Sequence, residues 1–360
     1  MDKTSRSLDD SSQLAQLNLA IKQKPQNIQA YYNRSEHYYR LDNYDAGIKD
    51  LDAIVRLDKM QTLAYMLRGY GYDKLNQDRQ AITEYTQAIA LCPNYPKAYY
   101  NRATVYDRLK EDNKALADYD RAIEYNPYYA EAYYNRGLIY SRLNRFKEAI
   151  ADYTRVIQIN PKDSEAYYNR ANTYNKVQQY DLALADYDRV IALNPQDLEA
   201  YYNRANVYHK TKVFDKAIAD YSKIVERNSR HAPTYYNRAT TYLASQQYQK
   251  AIADFSQAIE LNPNYAEAYY NRAIAYNKME EYQQAIASHQ AAIELKNDYA
   301  EAYGNLGLVY MTLGETELAI NNLQKSAILF DRQNNRSLYQ YVSEKLKALQ
   351  LKASEDRTMQ

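Results

Sequence analysis

One pairing of side chains recurs along this sequence and could do chemistry. Tyrosine followed directly by asparagine stands at Tyr100-Asn101, Tyr134-Asn135, Tyr168-Asn169, Tyr202-Asn203, Tyr236-Asn237 and Tyr270-Asn271, each pair 34 residues after the last. An asparagine amide offers two donors and an acceptor, the complement of a peptide group, and a tyrosine ring supplies contact area at little entropic cost. A ladder of such pairs could hold an extended chain with little sequence preference. The alternative is that each asparagine satisfies polar groups of its own neighbours. A basic row keeps the same spacing through Arg108, Arg142, Lys176 and Lys210, joined by Arg40, Lys74 and Lys278. An acidic row runs through Glu131, Glu165, Glu199, Glu267 and Glu301. Opposed rows along one groove suggest a mixed-charge partner, or else a solvated surface that compensates itself.

Catalytic chemistry has no comparable footing. His37, His209, His231 and His289 fall at four different registers of the 34-residue period, so they define neither a dyad nor a ligand cluster. There is no glycine-rich phosphate loop. Cys92 is the single cysteine, which excludes an internal disulfide framework and a cysteine-rich metal site. Neither a catalytic residue, a metal nor a cofactor is expected.

The elements that must position these rows follow from the period itself. Self-similarity every 34 residues means stacked units, none able to bury its apolar face alone. Units counted from Ile28 run 28–61, 62–95, 96–129, 130–163, 164–197, 198–231, 232–265, 266–299 and 300–333. Each is helical twice over. In the fourth, Tyr133, Gly137 and Tyr140 share one face of a first helix, A, and Ala149, Tyr153, Val156 and Ile157 share one face of a second, B. Asn160-Pro161 then ends helix B, because a residue before proline is pushed out of helical dihedrals. Small residues at position 8 (Ala103, Gly137, Ala205) and position 20 (Ala115, Ala149, Ala217) let the two helices approach closely. On this reading positions 2, 5, 9, 12 and 13 of helix A point away from helix B, which puts the tyrosine, acidic and basic rows on one groove.

An aromatic at position 4, Gly or Ala at 8, Tyr at 11, Ala at 20, an aromatic at 24 and Pro at 32 resemble the tetratricopeptide repeat family, over most of the chain. The YYNR flavour of helix A is similar to bacterial, often cyanobacterial, members. The resemblance implies an all-α, right-handed superhelical solenoid of antiparallel helix pairs, and a groove that takes an extended or helical segment of a partner protein. It also implies that the asparagine ladder contacts peptide, as in some members. The family's carboxylate clamp for heat-shock chaperone tails needs Lys at position 5 and Arg at position 6, and neither occurs here. Departures are Arg at position 7 in repeats one to eight, and Arg227-Asn228-Ser229 where Leu-Asn-Pro is usual. Residues 11–27 read as a capping half-repeat and 334–352 as a C-terminal capping helix, with residues 1–10 and 353–360 expected to be disordered.

Composition narrows the partner. Lys and Arg number 46 against 45 Asp and Glu, so no global field points to nucleic acid or anionic membrane. Single-stranded nucleic acid, its bases on the tyrosines and its phosphates on the basic row, is the alternative to a protein partner. No run is long and apolar enough to span a membrane, and the start lacks the apolar stretch of a signal peptide, so a cytoplasmic protein is expected.

One correlation bears on stacking. Arg at position 7 is matched by an acid at position 23, and both vanish near the end, at Ser288 and Leu306. Pairing across repeats (Arg136 with Asp118) and within one (Arg136 with Asp152) each leave one mismatch. The inter-repeat register is favoured because its mismatch, Arg34 with Gln16, falls in the terminal cap.

Overall fold

The computed structural model describes residues 3–358, and among them twenty helices and no strand. After α1 (Lys3–Gln23) the helices follow in nine A–B pairs. The first four are α2 (Ile28–Arg40) with α3 (Tyr44–Leu57), α4 (Thr62–Lys74) with α5 (Asp78–Leu91), α6 (Pro96–Arg108) with α7 (Asp112–Tyr125), and α8 (Ala130–Arg142) with α9 (Phe146–Ile159). Next are α10 (Ser164–Lys176) and α11 (Tyr180–Leu193), then α12 (Leu198–Lys210) with α13 (Phe214–Arg227) and α14 (Ala232–Ala244) with α15 (Tyr248–Leu261). Last are α16 (Ala266–Lys278) with α17 (Tyr282–Leu295), α18 (Ala300–Thr312) with α19 (Thr316–Arg332), and the closing helix α20 (Arg336–Thr358). The chain divides into two compact units, Met1–Val177 and Gln178–Gln360. Each is a stack of such repeats.

Every turn between helix A and helix B uses one left-handed residue at position 15. Asp42, Asn76, Lys110, Asn144, Gln178, Lys212, Gln246 and Glu280 have φ between 55° and 63°, and only the last hairpin places glycine there, Gly314 at 78°. The turn closes as a helix C-cap does: Lys110 N donates to Asp107 O at 2.9 Å and Glu111 N to Tyr106 O at 2.9 Å. Five of the turns after helix B are also side-chain assisted. Asn126, Asn160, Asn194, Asn228 and Asn262 accept from the backbone two residues on, at 3.1–3.2 Å. The Arg227–Pro233 junction keeps this turn although Ser229 replaces proline.

The core is a layer of small residues and tyrosines. In the third hairpin Ala103, Ala115, Tyr119 and Ala122 are fully buried and pack with Ala132 and Ile139 of the fourth. The sixth repeats it with Ala205, Ala217, Tyr221 and Ile224. Gly137 shows how close the helices come, since a Cβ there would sit 2.9 Å from the Tyr153 ring. Helix α1 takes in residues 3–10, and α20 continues to Thr358, where unstructured ends were expected. Neither stretch contains a proline or glycine to stop a helix. Met1, Asp2, Met359 and Gln360 lie outside the described residues.

Candidate functional site

The arginines of position 7 form the most regular polar feature. Arg136 donates from Nε and Nη2 to Asp152 of its own hairpin at 2.8 and 2.6 Å, and from Nη1 to Asp120 of the preceding one at 2.6 Å. Its guanidinium also lies 5.5 and 5.7 Å from the Tyr133 and Tyr140 ring centroids, within cation–π range. Arg204 repeats the set with Asp220, Asp188, Tyr201 and Tyr208. Arg102 and Arg238 keep the bidentate aspartate but meet hydroxyls behind, Thr86 and Ser222.

The acid at position 23 therefore pairs within the repeat, against the inter-repeat register favoured from sequence. The reason is geometric. Position 7 lies eight residues before the left-handed residue of its own turn, and position 23 lies eight after, so an antiparallel fold brings them level. Position 25 of the preceding hairpin stands in the same relation across the other turn, which is why it takes the remaining donor. Burial raises the Asp152 carboxyl above its ordinary range, while burial of the Arg136 guanidinium, which would lower it, is outweighed by the bonds and charges of Asp152 and Asp120, which raise it. These directions oppose each other, and the two short parallel N–H···O bonds favour the ion pair. In the eighth hairpin the carboxylate is missing, and Arg272 meets the Ser288 and Ser256 hydroxyls at 3.3 and 3.1 Å.

The tyrosine–asparagine ladder is engaged internally. Asn135 Nδ2 donates to the Tyr100 hydroxyl at 3.1 Å, Asn169 to Tyr134 at 2.9 Å, Asn237 to Tyr202 at 2.8 Å, Asn271 to Tyr236 at 2.9 Å and Asn305 to Tyr270 at 3.0 Å. Each bond joins one repeat to the next. Asn101 faces the thioether of Met66, at 4.0 Å, and the Tyr85 hydroxyl, because the second repeat lacks the position-5 tyrosine. The rings are half-buried and do not stand clear of helix B. Tyr100, Tyr134, Tyr202 and Tyr236 lie 5.8–6.1 Å from the position-24 ring of their own hairpin. Burial pushes the hydroxyls of Tyr100, Tyr202, Tyr236 and Tyr270 up, and the asparagine amides pull back only in part.

Two arginines of the basic row are neutralised. Arg108 is held by Asp73 and Asp78 of the preceding hairpin, and Arg142 by Asp107 and Asp112. Lys176 lies 5.6 Å from the Phe146 ring centroid. The acidic row stays more open: Glu131, Glu165, Glu199 and Glu267 are exposed and Glu301 partly so. Glu165 accepts from the Tyr134 hydroxyl at 3.0 Å. Clefts form where these rows meet. One of about 260 Å³ is lined by Tyr100, Glu131, Tyr134, Asn135, Asp163 and Glu165. Another of about 420 Å³ lies beside Glu199, Tyr202, His231 and Pro233.

The histidines are scattered, as their registers implied. His289 fills the aromatic position 24 of the eighth hairpin with no exposure and no partner for either ring nitrogen, and burial lowers its pKa to about 4. Among the described residues no group of three His, Cys, Asp or Glu side chains is placed to hold a metal, and no helix is long and apolar enough to cross a membrane.

Family models match along the chain. One described as tetratricopeptide repeat matches residues 96–129, 130–163, 164–197 and 232–265. One described as TPR repeat matches 69–110 and 275–314, and a further tetratricopeptide repeat model matches 186–219 and 255–287. Together these segments cover residues 69–219 and 232–314. Among solved structures the chain is similar to YrrB, described as a TPR protein with an unusual peptide-binding site, at 27% identity and TM-score 0.48, over 51% of this chain and 95% of that one. It is similar to a tetratricopeptide repeat protein from Parabacteroides merdae at 25% identity and TM-score 0.47, over 69% and 99% of the two chains. MamA from Desulfovibrio magneticus RS-1 is 20% identical at TM-score 0.44, over 47% and 97%. No curated protein matches significantly.

Proposed function

Since the chain belongs to the tetratricopeptide repeat family, we propose that it is a non-catalytic scaffold that seats a segment of a partner protein across its A helices. The observation that carries this is a pair of clefts, one at α6, α8 and α10 and one at α12 and α14, each walled by a half-buried tyrosine and an exposed glutamate. The asparagine donors, spent on tyrosine hydroxyls, hold the clefts' spacing. What the surface offers a partner is acceptors and aromatic edges, so the segment it suits presents donors and positive charge.

Nucleic acid is a poorer fit. That reading needs free cations to replace counterions, and Arg108 and Arg142 are each clamped between two aspartates. The test is capture by the intact chain against a double charge reversal, Glu131→Lys with Glu165→Lys, both at exposed positions. Loss of the captured protein with an unchanged circular dichroism spectrum supports the reading. Equal capture by both forms, or retention of the wild type on heparin at moderate salt, refutes it.

A further inference from the structure

The ninth hairpin lacks the ring that the three before it carry at position 5. In the sixth, seventh and eighth hairpins the position-5 tyrosine ring lies against the position-24 side chain, with centroids 6.1 Å apart for Tyr202–Tyr221, 5.8 Å for Tyr236–Phe255 and 5.8 Å for Tyr270–His289. In the ninth, position 5 is Gly304 and position 24 is Leu323. No ring fills the space. The chain does not close over it: α20 packs alongside and adds two further walls. A cavity of about 140 Å³ results, with Gly304 on one side and Leu308, Leu323, Phe330, Leu338 and Val342 around it. Leu323, Phe330 and Val342 are buried, whereas Leu338 is exposed at the mouth. The rim carries one charge of each sign, Glu301 and Lys345.

Size and lining together define what fits. A cavity of ~150 Å³ walled by Leu, Ile and Phe stays dry and accepts a benzene ring. This one is about as large, mostly apolar although Tyr270, Asn305 and Tyr341 also line it, and open to solvent. It also lies where the sixth to eighth hairpins each place a tyrosine ring of their own. Gly304 cannot simply acquire that ring, because a Cβ there would stand 2.9 Å from Ser326 Oγ, whose hydroxyl is held by Ala300 O at 2.8 Å.

We propose that this cavity is a socket for a single aromatic ring, the side chain of a phenylalanine or tyrosine in the bound partner segment. It supplies in trans the ring that earlier hairpins supply in cis. The assignment deepens the scaffold reading and rests on it.

The test uses the full chain with labelled Leu and Val methyl groups, titrated with N-acetyl-phenylalaninamide, N-acetyl-tyrosinamide and N-acetyl-leucinamide. Saturable shifts of the Leu308, Leu323, Leu338 and Val342 methyls are expected with both aromatic amides, and affinity for the leucine amide should be at least about tenfold weaker. Absence of saturable shifts at these methyls with either aromatic amide overturns the proposal, as does equal affinity for the leucine amide. Val342→Phe, which fills the cavity from α20, should weaken aromatic binding by about tenfold or more. Undiminished binding by a folded Val342→Phe protein also overturns it, and if that variant does not fold the wild-type titration decides alone. A partner still captured through Glu131 and Glu165, with no ring bound here, would leave the scaffold reading standing and remove only the socket.

Discussion

Asp152→Asn, which removes the charge but keeps the shape, isolates the bond between Arg136 and its own hairpin. The Asp152 side chain is 5% exposed and that of Arg136 17%, whereas Asp120, the second partner, is 55% exposed. Stranding one member of a buried pair costs about 3–5 kcal/mol, and an exposed pair contributes roughly 0–1 kcal/mol. Arg136 keeps some solvent and its two flanking rings, so the loss from Asp152→Asn should be about 2–3 kcal/mol, and from Asp120→Asn below about 1 kcal/mol. Crossing each change with Arg136→Met gives coupling terms that should stand in the same order. A long repeat array need not unfold in one step, so the measurement is native-state hydrogen exchange of the α8 and α9 amides. Raising the salt to about 1 M shrinks the Debye length to about 3 Å, which should erase the Asp120 coupling and spare that of Asp152. Equal couplings for the two aspartates, or a larger one between Arg136 and Asp118, would refute this account of the hairpin.

Other perturbations probe single positions. His289 has its folded pKa lowered to about 4 from 6.5, so the folded state loses stability as pH falls from about 6.5 towards 4, by up to about 3 kcal/mol. In His289→Phe that slope should flatten in acid titrations followed by circular dichroism, and an unchanged slope would mean that His289 is not its source. Lys110→Gly relieves a left-handed backbone at φ 62° with an exposed side chain. The relief of about 1–2 kcal/mol, less glycine's extra chain entropy of about 0.5–1 kcal/mol, should raise stability by about 0.5–1 kcal/mol, read as a rise in thermal midpoint. Ser229→Pro restores the residue found in equivalent turns. It should stabilise by about 0.4–1 kcal/mol through the unfolded chain, measured as slower exchange at the end of α13, and faster exchange would show that the turn differs.

The repeat, both helices of each unit and the small residues between them were legible because period and apolar spacing report burial directly. The arginine register was not. Residue types alone could not separate a spacing of 16 from one of 18, since each model tolerated a mismatch, and only the turn's symmetry about position 15 decides between them. The asparagines were ambiguous for a chemical reason: an amide suited to a peptide is equally suited to a tyrosine hydroxyl. The neutralised arginines of the basic row had a readable signal, because Asp73, Asp78, Asp107 and Asp112 all occur one repeat before Arg108 and Arg142, which they hold. The ring-sized cavity followed from a single missing side chain at Gly304, whose effect depends on where α20 lies.

The two ladders assign separate energies to folding within a hairpin and to adhesion between hairpins, the two parameters of a one-dimensional nearest-neighbour chain. Adhesion is uneven along the first unit. The third and fourth hairpins share the Asn135–Tyr100 bond and the Arg136–Asp120 ion pair. The first and second share the Arg68–Asp52 ion pair and a bond from Tyr39 to Leu67 O. Between the second and third, Asn101 meets the Met66 thioether and Arg102 the Thr86 hydroxyl, and the ion pairs of Arg108 with Asp73 and Asp78 hold the joint instead. In a chain of unequal couplings, the boundary between ordered and melted segments settles at the weakest link. Fraying from the amino end should therefore stop first at α1, which meets the first hairpin through the neutral side chains of Asn18 and Gln13, whereas ion pairs join each hairpin to the next through the fourth.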